Sequence, residues 1–115
     1  SLAIPTKIKT LDSYAAEHKI EQIDFVKVDI EGAELMFLKG AKKLFEQRKP
    51  PVIFMEMALE TSRAFGYAPN DLLIFIRERA DYEFFALDER NEKLLKIKNL
   101  KPDDPGANVL CLPKT

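Results

Sequence analysis

Runs of apolar residues alternate with stretches of helical spacing along the chain, and the runs predict strands. Residues 23–28 and 52–55 are rich in β-branched and aromatic side chains, which favour strands. The second run is continuously apolar, which is typical of a strand covered on both faces in a parallel sheet. Residues 82–87 and 93–97 flank a polar turn and are predicted to pair as a hairpin, and residues 109–112 are predicted to form the last strand.

Helical spacing marks the segments between these strands. A helix is predicted over residues 11–18, where the Thr10 hydroxyl can accept a hydrogen bond from a free backbone N–H of the first turn. A second helix is predicted from residue 33 to about residue 47, because apolar residues recur at i, i+4, i+7 and i+8. A third begins at Pro69, and residues 4–9 are predicted to be extended. The buried side of the third helix is predicted to be Leu72, Leu73, Phe75 and Ile76.

The order of the elements predicts an α/β fold. Alternating strands and helices form a parallel sheet with right-handed crossovers, and the closing hairpin adds antiparallel strands at one edge. We expect a three-layer α/β/α arrangement, or the larger part of one. The 115 residues and the 46% hydrophobic content suit a single domain.

Composition and charge exclude several classes of protein. Charged residues make up 32% of the chain, but the net charge is only −1, so neither the basic surface of a nucleic-acid-binding protein nor a polybasic membrane-binding segment is expected. No apolar run approaches the ~20 residues that span a bilayer, and we expect no signal peptide. Cys111 is the only cysteine, which excludes an internal disulfide. We expect a cytoplasmic protein.

Acidic side chains collect where two predicted parallel strands end. Asp29 and Glu31 follow the first strand, and Glu56 follows the second. Ligands bind beyond the C-terminal ends of the strands in open α/β sheets, and neighbouring strands lie ~4.8 Å apart, so we expect these carboxylates to share one rim. They could accept hydrogen bonds from a ligand, act as a general base, or hold a divalent cation.

The residues around this acidic run have structural interpretations as well. Glu31 and Glu34 lie on the same side of the first helical turn, where carboxylates alone stabilise a helix N-terminus by ~0.3–1 kcal/mol. Gly32 lets the backbone turn sharply and approach a ligand closely. Tyr67 and Arg63, which follow the second strand, could reach a substrate or serve only the fold.

Several segments together resemble a known family. Residues 27–34, Lys-Val-Asp-Ile-Glu-Gly-Ala-Glu, followed by Leu-Lys-Gly-Ala at 38–41, resemble the signature of the FkbM methyltransferases. Residues 10–12, 52–56 and 108–110 resemble other segments of that family in the same order, so the resemblance covers nearly the whole chain. It implies a class I methyltransferase with a seven-stranded Rossmann-type sheet, which transfers the methyl group of S-adenosylmethionine (SAM) to an oxygen of a sugar, a polyketide or another small metabolite.

The resemblance also implies roles for the acidic run. Asp29 and Glu31 would border the donor and acceptor pocket, and the predicted catalytic residues are Asp29, Glu31 and Glu56. Asp29 and Gly32 are the predicted SAM contacts, and no metal ligand is predicted. By the same resemblance, residues 23–28 would be the fourth strand of the sheet.

The chain departs from the family pattern in its glycines. It has four, none in a G-x-G cluster, and the glycine-rich turn after the first strand of the family has no counterpart here. We therefore expect residues 1–115 to be the C-terminal part of one methyltransferase domain, with SAM bound by the longer parent protein and weakly or not at all by this chain. The strand at residues 23–28 would then have an open edge, and we expect a homodimer or larger oligomer through it.

Two further functions are compatible with the sequence. A non-catalytic α/β interaction or regulatory domain could derive from the same fold after loss of the cofactor half. A divalent-metal hydrolase could use Asp29, Glu31 and Glu56, although the His and Asp ligands that such sites usually recruit are missing.

Overall fold

The computed structural model describes residues 10–114, which fold around one five-stranded sheet. The strands are β1 (Phe25–Val28), β2 (Val52–Ala58), β3 (Tyr82–Asp88), β4 (Lys93–Ile97) and β5 (Gly106–Pro113). Their spatial order is β1-β2-β5-β3-β4; β1 and β2 are parallel, and the other neighbouring pairs are antiparallel. The predicted α/β class and the hairpin at one edge are confirmed, and the sheet is compatible with a partial Rossmann-like fold. The extended stretch predicted at residues 4–9 lies outside the described residues.

Helices connect the strands in the described part of the chain. They are α1 (Leu11–Glu17), α2 (Glu34–Lys39), α3 (Lys42–Glu46), α4 (Leu59–Ala64) and α5 (Pro69–Arg79). The predicted buried side of α5 is confirmed, whereas α4 was not predicted. No helix within residues 10–114 is long and apolar enough to cross a membrane.

The helix predicted over residues 33–47 is wrong in one respect, because it is broken into α2 and α3. The start of α1 packs into the break: a Cβ on Gly40 would lie 2.8 Å from Cγ2 of Thr10. Asp12 then caps α3, since its Oδ1 accepts a hydrogen bond from the Lys43 amide at 3.1 Å. This tertiary contact replaces the helical hydrogen bonds that an unbroken helix would have.

A single hydrophobic core lies on one face of the sheet. Paired residues point to the same face, and the register joins Val28 to Met55, Met55 to Val109, and Cys111 to Phe84. All five side chains are buried. The helices complete this core with Leu38, Leu44, Phe45, Leu72, Leu73, Phe75 and Ile76.

The opposite face of the sheet is less covered. Within β2, burial alternates: Ile53, Met55 and Met57 are fully buried, whereas Val52 and Phe54 are only half-buried. The covering predicted for both faces of this strand is complete on the side of Met55 and partial on the other side. The second helical layer of the three-layer arrangement stays a prediction.

Candidate functional site

Asp29 and Glu56 lie side by side at the rim of the sheet where β1 ends. Because Val28 pairs with Met55 in the parallel register, the residues that follow them are neighbours. Both acids line one small pocket of about 140 Å³, here called the rim pocket. The rim pocket is lined by Lys27, Val28, Asp29, Phe54, Glu56 and Asn108.

Electrostatic repulsion distinguishes Glu56 from an ordinary glutamate. The Asp29 carboxylate is the main cause that raises the pKa of Glu56, followed by partial desolvation and then by the charges of Glu34 and Glu31. A carboxylate with a raised pKa binds a proton more tightly than an ordinary one. Repulsion from the neighbouring carboxylates thus makes the Glu56 carboxylate a stronger base than that of an isolated glutamate.

Glu56 does not follow its strand, as predicted, but lies within it. β2 continues to Ala58 because β5 pairs along it, with Glu56 opposite Asn108 and Ala58 opposite Gly106. The Asn108 side-chain amide donates a hydrogen bond to Glu89 Oε1 at 3.2 Å. Asn108 was not predicted as a site residue, because only the insertion of β5 beside β2 brings it to Glu56. The one feature of the sequence that could have indicated it is a polar residue directly before an apolar run.

The turn between β1 and α2 has an unusual backbone. Glu31 adopts a left-handed conformation with φ of 48°, and Gly32 follows with φ of 103°. The Glu34 side chain, 1% exposed, folds back over this turn. Its carboxylate accepts hydrogen bonds from the Ile30 amide at 3.0 Å and from the Gly32 amide at 2.9 Å. Glu34 is thus a structural residue of the turn, whereas Glu31 is exposed and does not line the rim pocket.

Gly32 is required for close packing within the protein. A Cβ at this position would lie 2.5 Å from the carbonyl oxygen of Thr61 and 2.8 Å from the Phe65 ring. The sharp turn expected of Gly32 is confirmed, but its close neighbours are α4 and the loop after it. Its contact with a cofactor stays a prediction.

Tyr67 reaches the same turn from the other side. Its hydroxyl donates a hydrogen bond to the Gly32 carbonyl at 2.7 Å and lies 3.3 Å from Oε1 of Glu34. Burial is the main cause that raises the pKa of Tyr67. Tyr67 and Arg63 were expected either to reach a substrate or to serve only the fold. The contacts of Tyr67 are structural, and Arg63 is exposed on α4.

Two cavities adjoin the acidic turn, and neither is suited to hold the whole of SAM. The rim pocket is smaller than the ~300–1,000 Å³ of typical ligand sites. A second groove of about 300 Å³ has no charged residue in its lining, which consists of Thr10, Leu11, Ile30, Ala33, Met36, Phe37 and Gly40. The rim pocket has charged and amide side chains but is too small for the whole of SAM, and the second groove has no charged partner for the ammonium and carboxylate of SAM. Within residues 10–114, no group of three or more His, Cys, Asp or Glu side chains is arranged to hold a metal ion.

Comparison with known proteins identifies the family. A family model described as the methyltransferase FkbM domain matches residues 3–84, which include β1, β2 and the acidic turn. No curated protein and no solved structure matches the chain. Because the match covers well over half of the sequence, the chain belongs to the FkbM methyltransferase domain family.

Proposed function

We propose that this chain is the acceptor-binding, C-terminal part of a SAM-dependent O-methyltransferase domain that acts on a sugar, a polyketide or another small hydroxylated metabolite. The observation that carries the proposal is the meeting of Asp29 and Glu56 at the rim pocket. Membership of the FkbM family supports methyl transfer as the reaction. The size of the rim pocket suits the reacting end of an acceptor.

In this proposal, Glu56 is the general base. The acceptor O–H bond breaks and the proton passes to the Glu56 carboxylate, which the negative charge of Asp29 makes a better proton acceptor. Lys27 and Asn108 also line the rim pocket and have N–H groups that can orient the acceptor oxygen. Glu31 stays a candidate at the solvent side of the rim.

The methyl donor needs partners beyond this chain. SAM supplies the methyl group when it is bound, and we propose that a glycine-rich half of the parent protein holds most of it, with Asp29 and Gly32 as contacts from this part. Cys111 is a buried free thiol whose pKa is raised to about 12 by burial. We propose a cytoplasmic location, with which a thiol that forms no disulfide is compatible.

The test is methyl transfer from isotope-labelled SAM to a panel of hydroxylated small molecules by the parent polypeptide. We expect Glu56→Gln to lower the rate by about 10²–10⁴-fold, because general-base catalysis contributes that much. The matched control is Glu60→Gln, at an exposed position on α4, which should keep the rate. In addition, Asp29→Asn should move the acid limb of the pH–rate profile to lower pH, since removing the repulsion lowers the pKa of Glu56.

The outcomes separate this proposal from a second candidate. A non-catalytic interaction domain is favoured by exposed apolar side chains on β1 and α2, where Phe25 is 58% and Met36 is 63% exposed. Absence of methyl transfer to every acceptor would support that candidate. Methyl transfer that Glu56→Gln leaves unchanged would remove Glu56 from the mechanism.

A further inference from the structure

We infer that Tyr67 and Glu34 are positioning residues, which hold the turn of residues 29–32 so that Asp29 stays beside Glu56 in the rim pocket. The inference rests on the proposed function for its catalytic meaning. The geometric claim itself concerns only the free protein, and it can be tested without SAM or an acceptor.

The turn needs support from outside its own backbone. Two consecutive residues, Glu31 and Gly32, have positive φ, and the first of them is not glycine. Non-glycine residues persist in this region mainly where surrounding contacts determine the conformation. Asp29 is the first residue of this turn, so the direction of the Asp29 side chain depends on how the turn is held.

Glu34 supplies the first support. Its two carboxylate oxygens accept hydrogen bonds from the amides of Ile30 and Gly32, so one buried side chain bridges the turn. Hydrogen bonds to a charged acceptor are stronger than neutral ones. The Ile30 amide is adjacent to Asp29, which links the orientation of Asp29 to the Glu34 carboxylate.

Tyr67 supplies the second support, from a loop that is distant in sequence. Its hydroxyl bonds to the Gly32 carbonyl, and the main chain around it is held by a hydrogen bond from the Tyr67 amide to the Ser62 carbonyl at 3.2 Å. Phe65, in the same loop, closes the space beside Gly32. The turn is therefore fixed between α2 on one side and the loop between α4 and α5 on the other.

The readout is the titration of Glu56, because several charged groups face it from the surrounding elements. Asp29, Glu34 and Glu31 raise its pKa, and all three belong to the turn or to the first residue of α2. Lys27 of β1 also lines the rim pocket. Glu89 is joined to this pocket because its Oε1 accepts a hydrogen bond from Asn108, which lines it. If the turn loosens, Asp29 moves away from Glu56, whereas Lys27 stays on β1 and Glu89 stays directly after β3.

The experiment is an NMR titration of the side-chain carboxyl of Glu56, together with amide hydrogen exchange, in wild type and Tyr67→Phe. We expect the pKa of Glu56 to fall toward the ordinary value of a glutamate in Tyr67→Phe. The Gly32 amide donates to Glu34 and not to Tyr67, so we expect it to exchange roughly tenfold faster only because the turn, with one supporting hydrogen bond fewer, opens more often. The matched control is Tyr82→Phe, which also removes a buried hydroxyl that donates to a backbone carbonyl, that of Pro51 at 2.6 Å.

The control distinguishes positioning from a general loss of stability. Tyr82→Phe should destabilise the fold but leave the pKa of Glu56 unchanged. An unchanged pKa in Tyr67→Phe, or an equal shift in both variants, would overturn the inference. Unfolding of Tyr67→Phe would also overturn it, since the hydroxyl would then support the core and not the turn alone. A confirmed shift without any methyl transfer would leave the positioning role intact and contradict only the proposed function.

Discussion

Two glycines with left-handed backbones occupy very different surroundings, and the comparison separates backbone strain from packing. Gly32 has φ of 103° and is enclosed by Thr61 and Phe65, whereas Gly66 has φ of 81° and nothing within 4 Å of a Cβ added there. Both positions therefore disfavour other residues because of φ, but only Gly32 also lacks space.

This contrast predicts that Gly32→Ala is severely destabilising. The added methyl would overlap the Thr61 carbonyl and the Phe65 ring in a strained backbone, so we expect a loss of about 2–5 kcal/mol in the free energy of unfolding. Gly66→Ala is the matched control and should cost about 1 kcal/mol from backbone strain alone. Urea denaturation of both variants provides the measurement, and equal losses would show that α4 does not approach Gly32 as closely as described.

Among the individual residues of the site, some could be predicted from the sequence and others could not. Asp29 and Glu56 could be predicted because each lies where an apolar strand reaches the rim. The spacing of Glu34 indicated only a side of its helix, and not that its carboxylate folds back onto two amides. Tyr67 and Asn108 could not be assigned, because contacts distant in sequence place them.

Among the elements, β1 and β4 form the two edges of the sheet, and they differ in how strongly their side chains discourage pairing with another chain. β4 has Lys93 and Lys96 along its five residues, and lysines on an edge strand discourage pairing with another chain. β1 has one lysine, Lys27, and an exposed aromatic ring at Phe25. We therefore propose that β1 is the edge through which a second copy of the chain binds.

The proposal predicts concentration-dependent dimerisation of the chain, measured by sedimentation. Phe25→Lys should shift the equilibrium toward monomer, because a charge on the edge strand opposes its pairing. Leu94→Lys, at a position 51% exposed on the opposite edge strand β4, is the control and should leave the dimer unchanged. A wild-type chain that stays monomeric at high concentration would contradict the proposal.

For the whole molecule, the main feature is a sheet with its core on one face. The helices bury the side that contains Met55 and Val109, while Phe54 on the other side stays half-buried and lines the rim pocket. The rim pocket thus lies on the less covered face of the sheet.

This arrangement predicts that the chain alone binds SAM weakly or not at all. A calorimetric titration of the 115-residue chain with SAM should give no heat of specific binding, with an established SAM-binding protein as the positive control for the titrant. The physical reason is that the rim pocket, at about 140 Å³, covers too little of such a ligand. Binding of SAM in the low-micromolar range would contradict this prediction.

The strands, the helix that begins at Pro69, the family and the position of the acidic rim could all be predicted from the amino-acid sequence. Apolar runs and helical spacing depend on neighbouring residues, so the strands and the helix at Pro69 could be predicted from them. The place of β5 in the sheet, the break of the helix at Gly40 and the raised pKa of Glu56 could not be predicted. Each of these depends on contacts between segments far apart in the chain: β5 with β2, α1 with the break, and Asp29 with Glu56.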